Sequence, residues 1–92
     1  MAEVRVVPPA EIDPTTAAAF GAALAEATAT DDVVVDFGEV TFCDSSGIRE
    51  LVIAYQRQLA GGGSLRLVGV SERVRRVFDI SGLTERLIPP EG

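Results

Sequence analysis

Hydrophobic and polar positions change period several times along these 92 residues. Val4-Arg5-Val6-Val7 alternates loosely and predicts a short strand, closed by Pro8-Pro9. Asp13-Pro14 predicts a helix start, with Asp13 as N-cap and Pro14 at the first helical position. Thr15 to Thr28 is alanine-rich and favours helix, with Phe20, Ala23, Leu24 and Ala27 as its buried stripe. After an Asp31-Asp32 turn, Val33 to Phe37 is a run rich in β-branched residues. Such a run is expected of a central strand covered on both faces.

Val40 and Phe42 alternate beyond a turn at Gly38. Ile48, Leu51, Val52, Tyr55 and Leu59 then recur at i, i+3, i+4, i+7 and i+11, which predicts a helix over 46–60. Gly61-Gly62-Gly63 stops it, and Leu65-Arg66-Leu67-Val68 predicts another strand. Ser71 caps a short helix from Glu72 to about Asp79, with Val74, Val77 and Phe78 inward and Ser81-Gly82 at its end. Leu83, Leu87 and Ile88 are expected to return to the sheet as a short strand or to pack across its edge, before Pro89-Pro90 leads out. Alternating strands and helices imply crossover units. The fold class is therefore α/β, a mostly parallel mixed sheet of about four strands flanked by about three helices. The whole chain, 1–92, reads as one domain with its core over about 4–88.

Composition narrows the function. Apolar content of 47% and charged content of 24% suit a globular chain. No apolar run approaches the roughly 18 residues of a membrane span, and Met1-Ala2-Glu3-Val4-Arg5 does not resemble a signal peptide. A cytoplasmic location is expected. A net charge of −6 argues against nucleic acid as a partner, since phosphate neutralisation needs a basic surface. One cysteine permits no internal disulfide and no metal cluster. There is no histidine and every basic residue is arginine, so no conventional base could activate a serine nucleophile. The glycine triplet lacks the spacing and lysine of a phosphate-binding loop. These absences argue against an enzyme, and no cofactor is implied.

The informative stretch is Phe42-Cys43-Asp44-Ser45-Ser46-Gly47-Ile48, where strand gives way to helix. Asp44 or Ser45 is the natural N-cap. A phosphate on Ser45 could be held there by free N–H groups and the positive end of the helix dipole. Cys43 in this apolar approach reads as a core residue. Gly47 reads as allowing close backbone approach. Arg49 and Glu50, one turn on, are expected to point outward beside Ser45. Arg73, Arg75, Arg76 and Arg86 read as a solvated helix face.

Asp44-Ser45-Ser46-Gly47-Ile48, preceded by Phe42, resembles the signature of STAS domains, the fold of bacterial anti-sigma factor antagonists. Glu11-Ile12-Asp13, followed by Thr16-Ala17, is similar to the family's E-[IL]-D segment. Val77-Phe78-Asp79-Ile80-Ser81-Gly82-Leu83 is similar to its closing F-D-[IM]-S-G-L. The three pieces stand in register from about Val4 to Ile88. The resemblance implies that Ser45 is phosphorylated by a partner that is both anti-sigma factor and serine kinase. On this view the unphosphorylated form binds that kinase and releases a sigma factor, phosphorylation ends binding, and a PP2C-type phosphatase resets the protein. ATP and Mg²⁺ would belong to the kinase. Asp13, Asp44, Ser45, Ser46, Gly47, Arg49 and Glu50 are then the expected partner-binding residues, with Ser46 structural and Asp13 beside the phosphorylatable serine. The alternative implied by the family is a STAS subunit of a lipid or anion transport assembly, acting through contact alone. The chain departs from the pattern at Pro8-Pro9-Ala10, which leaves room for about one N-terminal strand and predicts a shortened hairpin. The short region after Gly82 leads one to expect that the last helix of longer members is absent.

Overall fold

A computed structural model describes residues 3–88. In chain order the elements are β1 (Glu3–Val6), β2 (Glu11–Ile12), α1 (Ala17–Ala25), β3 (Asp32–Asp36), β4 (Phe42–Cys43), α2 (Ser45–Ala60), β5 (Ser64–Val68), α3 (Glu72–Ser81) and α4 (Thr84–Leu87). The strands form two ladders, a three-stranded sheet in the order β1-β3-β5 and a two-stranded one of β2 with β4. Among the described residues every strand pair is parallel, where a mostly parallel mixed sheet was expected. β1 and β2 do not pair with each other; Pro8-Pro9 separates them, and each finds a parallel partner further along the chain.

In the β1-β3-β5 sheet, Val4, Val33 and Leu65 stand in one row and Val6, Val35 and Leu67 in another. All six belong to or pack against one core, which also takes in Phe20 and Leu24 of α1, Ile48, Leu51 and Ala54 of α2, and Val74 and Phe78 of α3. Phe37 meets Phe78 edge to face at 6.0 Å between ring centroids, tying α3 to the end of β3. Among the described residues the helices share their core with Val33 and Val35 and not with Val34, so the doubly covered strand expected for Val33–Phe37 is not seen. Val34 stands in a row between Arg5 and Arg66. It is only 2% exposed although it stands between two exposed arginines, a position where long stems can shield apolar surface while their heads stay in water.

Other boundaries also shift. The regular part of α1 begins at Ala17, after a turn over Asp13–Thr16, and ends at Ala25 rather than Thr28. In α2 the inward stripe is Gly47, Ile48, Leu51, Ala54 and Gln58, whereas Leu59 is exposed. Gln58 is fully buried because its amide donates to the carbonyls of Thr28 (2.7 Å) and Asp31 (3.1 Å) while accepting from Arg57. It thereby fastens the α1–β3 connection to α2. Leu83, Leu87 and Ile88 form no strand; Thr84–Leu87 makes one helical turn, with Leu87 and Ile88 buried in the core. That turn follows Gly82, whose φ of 71° ends α3 in the left-handed conformation. The Pro89-Pro90 exit lies outside the described residues.

Candidate functional site

β2 and β4 are two residues long, yet they place the junction. Ile12 stands opposite Cys43, and the Asp44 N–H donates to the Ile12 carbonyl at 3.1 Å. Asp13 and Asp44 therefore leave neighbouring parallel strands at the same end, the carboxyl end where α/β sheets place their sites. Both residues are half-buried.

Asp44 is the N-cap of α2. Its backbone is extended, and one carboxylate oxygen accepts from the Ser46 N–H at 2.9 Å and from the Ser46 hydroxyl at 2.5 Å. The N–H groups of Gly47 and Ile48 both donate to the Asp44 carbonyl at 3.1 Å. The expected cradle of free N–H groups for a Ser45 phosphate is thus largely taken by Asp44. Ser45 occupies the first helical position, is exposed, and its hydroxyl makes no hydrogen bond with the described residues. Gly47 is buried because the helix start lies directly on both short strands. A Cβ there would sit 2.5 Å from Ile12 Cγ2 and 2.9 Å from Cys43 Sγ.

Asp13 organises the neighbouring turn. Its carboxylate accepts from the Thr15 hydroxyl (2.6 Å), the Thr15 N–H (2.9 Å) and the Thr16 N–H (3.2 Å). These bonds, the Thr15 hydroxyl's foremost, hold its pKa below the usual carboxylate value. The Thr16 hydroxyl donates to the Glu11 carbonyl at 2.9 Å and accepts from the Asp13 N–H at 3.0 Å. Asp13 caps this turn and not the regular helix, whose N-cap position is Thr16.

Along the α1–α2 seam, Ala17, Ser45, Ser46, Arg49, Glu50 and Ile53 line an open groove of about 520 Å³. Arg49 is exposed, as expected. Glu50 is half-buried and does not simply face outward; its carboxylate lies where a side chain on Gly21 of α1 would have to go. Asp13 is not among the residues that line this groove. Ile53, 50% exposed, was not anticipated as a site residue, although an apolar side chain off the buried stripe is the signal that could have marked it. On the other flank Phe42 is 48% exposed, not inward with Val40. It borders a smaller depression with Cys43, Arg73 and Val77. Cys43 itself is a core residue. Burial, helped by the Asp44 charge, pushes its thiol up to about 11.

The site and fold define a small parallel α/β domain that presents one unengaged hydroxyl at a helix start. The chain belongs to the STAS domain family: the family model described as "Mlab, STAS domain" matches residues 4–89. It is 36% identical over 63 residues to an anti-sigma-B factor antagonist of Staphylococcus epidermidis, covering 68% of this chain and 58% of that protein. It is 37% identical over 54 residues to the anti-sigma-B factor antagonist of Bacillus subtilis, covering 59% of this chain and 50% of the relative. The matched segments thus span little more than half the length of these curated relatives. Among solved structures, an anti-sigma-factor antagonist (STAS) domain protein from Planctomyces limnophilus superposes with a TM-score of 0.72 at 27% identity. That match covers 96% of this chain and 88% of the other. Among the described residues no helix is long and apolar enough to cross a membrane.

Proposed function

We propose that this chain is an anti-sigma factor antagonist switched by phosphorylation of Ser45. Unphosphorylated, it binds an anti-sigma factor that is also a serine kinase and so frees a sigma factor; phosphorylated, it lets go, and a PP2C-type phosphatase restores it. The names of the curated relatives support the first half of this reading. One observation supports the second. Four hydroxyls stand at the two helix starts, and those of Thr15, Thr16 and Ser46 are engaged by Asp13, Glu11 and Asp44. Only that of Ser45 is free for a kinase.

A phosphate on Ser45 brings about −1.5 to −2 charge next to Asp44 and near Asp13. With the N–H groups of Ser46, Gly47 and Ile48 already engaged, the charge faces outward into the groove of Arg49, Glu50 and Ile53. Burying it under a docked partner costs several kcal/mol, enough to end binding. Gly47, Ser46 and Asp44 hold the junction in place, while Asp13, Arg49 and Glu50 border the surface a partner would meet. The protein binds and is modified; it performs no catalysis of its own.

Intact-mass analysis of the protein from its native cells, with peptide mapping across 41–49, tests this. A fraction carrying a single phosphate on Ser45 is expected. Phosphate on Ser46 or Thr41 instead would overturn the site. Unmodified protein under both growth and stress would overturn the switch and favour the transport-assembly alternative.

A further inference from the structure

β1 is a free edge. It pairs with β3 on one side, and no described residue pairs with the other. An open edge is a row of unpaired N–H and C=O groups, a template for another strand. Pro8-Pro9 keeps this edge short, and its outer face carries Glu3 and Arg5, while Val4 and Val6 belong to the core side. Beside it an apolar groove of about 350 Å³ runs between Val7, Pro8 and Pro9 and the α1 residues Ala19, Phe20 and Ala23. The stretch Ala17–Ala25 of α1 carries no charge at all.

The edge is complementary to itself in one register. Twofold antiparallel pairing sets residues of the same sheet face opposite one another, so the axis must pass through a single residue and its copy. An axis at Glu3 opposes two glutamates, and one at Arg5 opposes two arginines. An axis at Val6 sets Pro8, which has no N–H, against Val4. An axis at Val4 alone sets Glu3 against Arg5 twice and Val4 against Val4. Both charged side chains are well exposed, and each has one partner inside the chain: Arg5 reaches Asp36 at 3.1 Å and Glu3 reaches Arg66 at 3.7 Å. Pairing at Val4 would join these into a row of alternating sign across both copies, Arg66, Glu3, the second copy's Arg5 and its Asp36.

We infer that β1 is a homodimerisation edge, and that a second copy of this chain adds its own β1 antiparallel about a twofold axis at Val4. The result is a continuous six-stranded sheet. α2, which carries Ser45, packs against α1, β4 and β5, so the edge and the hydroxyl are used independently.

Sedimentation equilibrium of the full chain tests the inference. A concentration-dependent dimer is expected. R5E sets glutamate against glutamate at both ends of the pairing and weakens the dimer by about tenfold or more; adding E3R to it restores opposite charges and brings the dimer back. The intrachain pairs of these residues lie on the surface and contribute little to folding, and thermal melts of each variant check this. Independently, V4C forms an intermolecular disulfide at the axis on mild oxidation, with buried Cys43 not competing. A monomer at every concentration, a dimer indifferent to R5E, a dimer not restored by the charge swap, or a dimer that V4C fails to cross-link would each overturn the inference.

Discussion

The starts of α1 and α2 are built from nearly the same residues and end up differently. Each follows a two-residue strand, opens on an aspartate, continues through two hydroxyl residues and reaches a small one: Asp13-Pro14-Thr15-Thr16-Ala17 and Asp44-Ser45-Ser46-Gly47. At the first, Pro14 adds a residue, and the carboxylate spends itself on a turn that absorbs both threonine hydroxyls. At the second there is no extra residue. Asp44 caps the helix directly, takes up Ser46 alone, and leaves Ser45 on the surface. One inserted proline separates a closed turn from an open acceptor.

The two starts can be set apart by experiment. The largest difference expected is chemical. Ile12 has nothing to react with thiol reagents, and its register partner Cys43 should hardly react either. With its thiol raised from 9.0 to about 11, alkylation at pH 8 in the native protein should run about a hundredfold slower than for an ordinary cysteine, and rise on unfolding. The same shift makes the fold less stable as pH climbs from 9 towards 11, because the unfolded chain's thiol ionises first. Next comes Gly47→Ala. Its methyl would press on Ile12 and Cys43 and should cost about 1–3 kcal/mol in urea denaturation. Ala17, at the matching place in α1, already carries a Cβ without harm.

Asp44→Ala removes the cap and the Ser46 bond and should cost about 1 kcal/mol. Asp13→Ala should cost less, because the turn it closes lies outside the regular helix. Asp13 also predicts an acid effect. Its carboxyl is held below its ordinary 3.8, so its contribution is complete above that pH and is lost as pH falls below it. Chemical shifts of the Thr15 and Thr16 amides should follow that loss, and a turn indifferent to pH there would break the comparison. The smallest effect belongs to Ser45→Ala. With no hydrogen bond to lose, it should change stability by less than about 0.5 kcal/mol. A cost near that of Asp44→Ala would mean that the hydroxyl is structural after all.

Much of this was legible in the chain. The period-2 and period-3.6 segments located β1, β3, α2, β5 and α3, and the acid–hydroxyl–glycine stretch marked the junction. What escaped was decided by tertiary contact. Leu59 and Gln58 exchange the roles their hydropathy assigns because two loop carbonyls, at Thr28 and Asp31, lie within reach of the Gln58 amide. Val34 looks like the centre of a doubly covered strand, but its neighbours in the row are Arg5 of β1 and Arg66 of β5, a pairing no local pattern reveals. Leu83 to Ile88 was too short a run to show whether it buries its apolar residues as a strand or as one helical turn. At the junction, residue types were readable. Which of four hydroxyls stays unbonded depends on the placement of two carboxylates and the Glu11 carbonyl, and that needed coordinates.

The freedom of the Ser45 hydroxyl has a consequence for how such a protein could store a signal. Among the described residues no hydrogen bond passes through that oxygen, so a mark written there breaks no contact of the fold. Both states would share one architecture, their stabilities differing only by what the new charge does beside Asp44 and the helix start. The record would then be as durable as a phosphoester, not as short-lived as a conformational equilibrium, and reading it would be left to whatever docks on the groove.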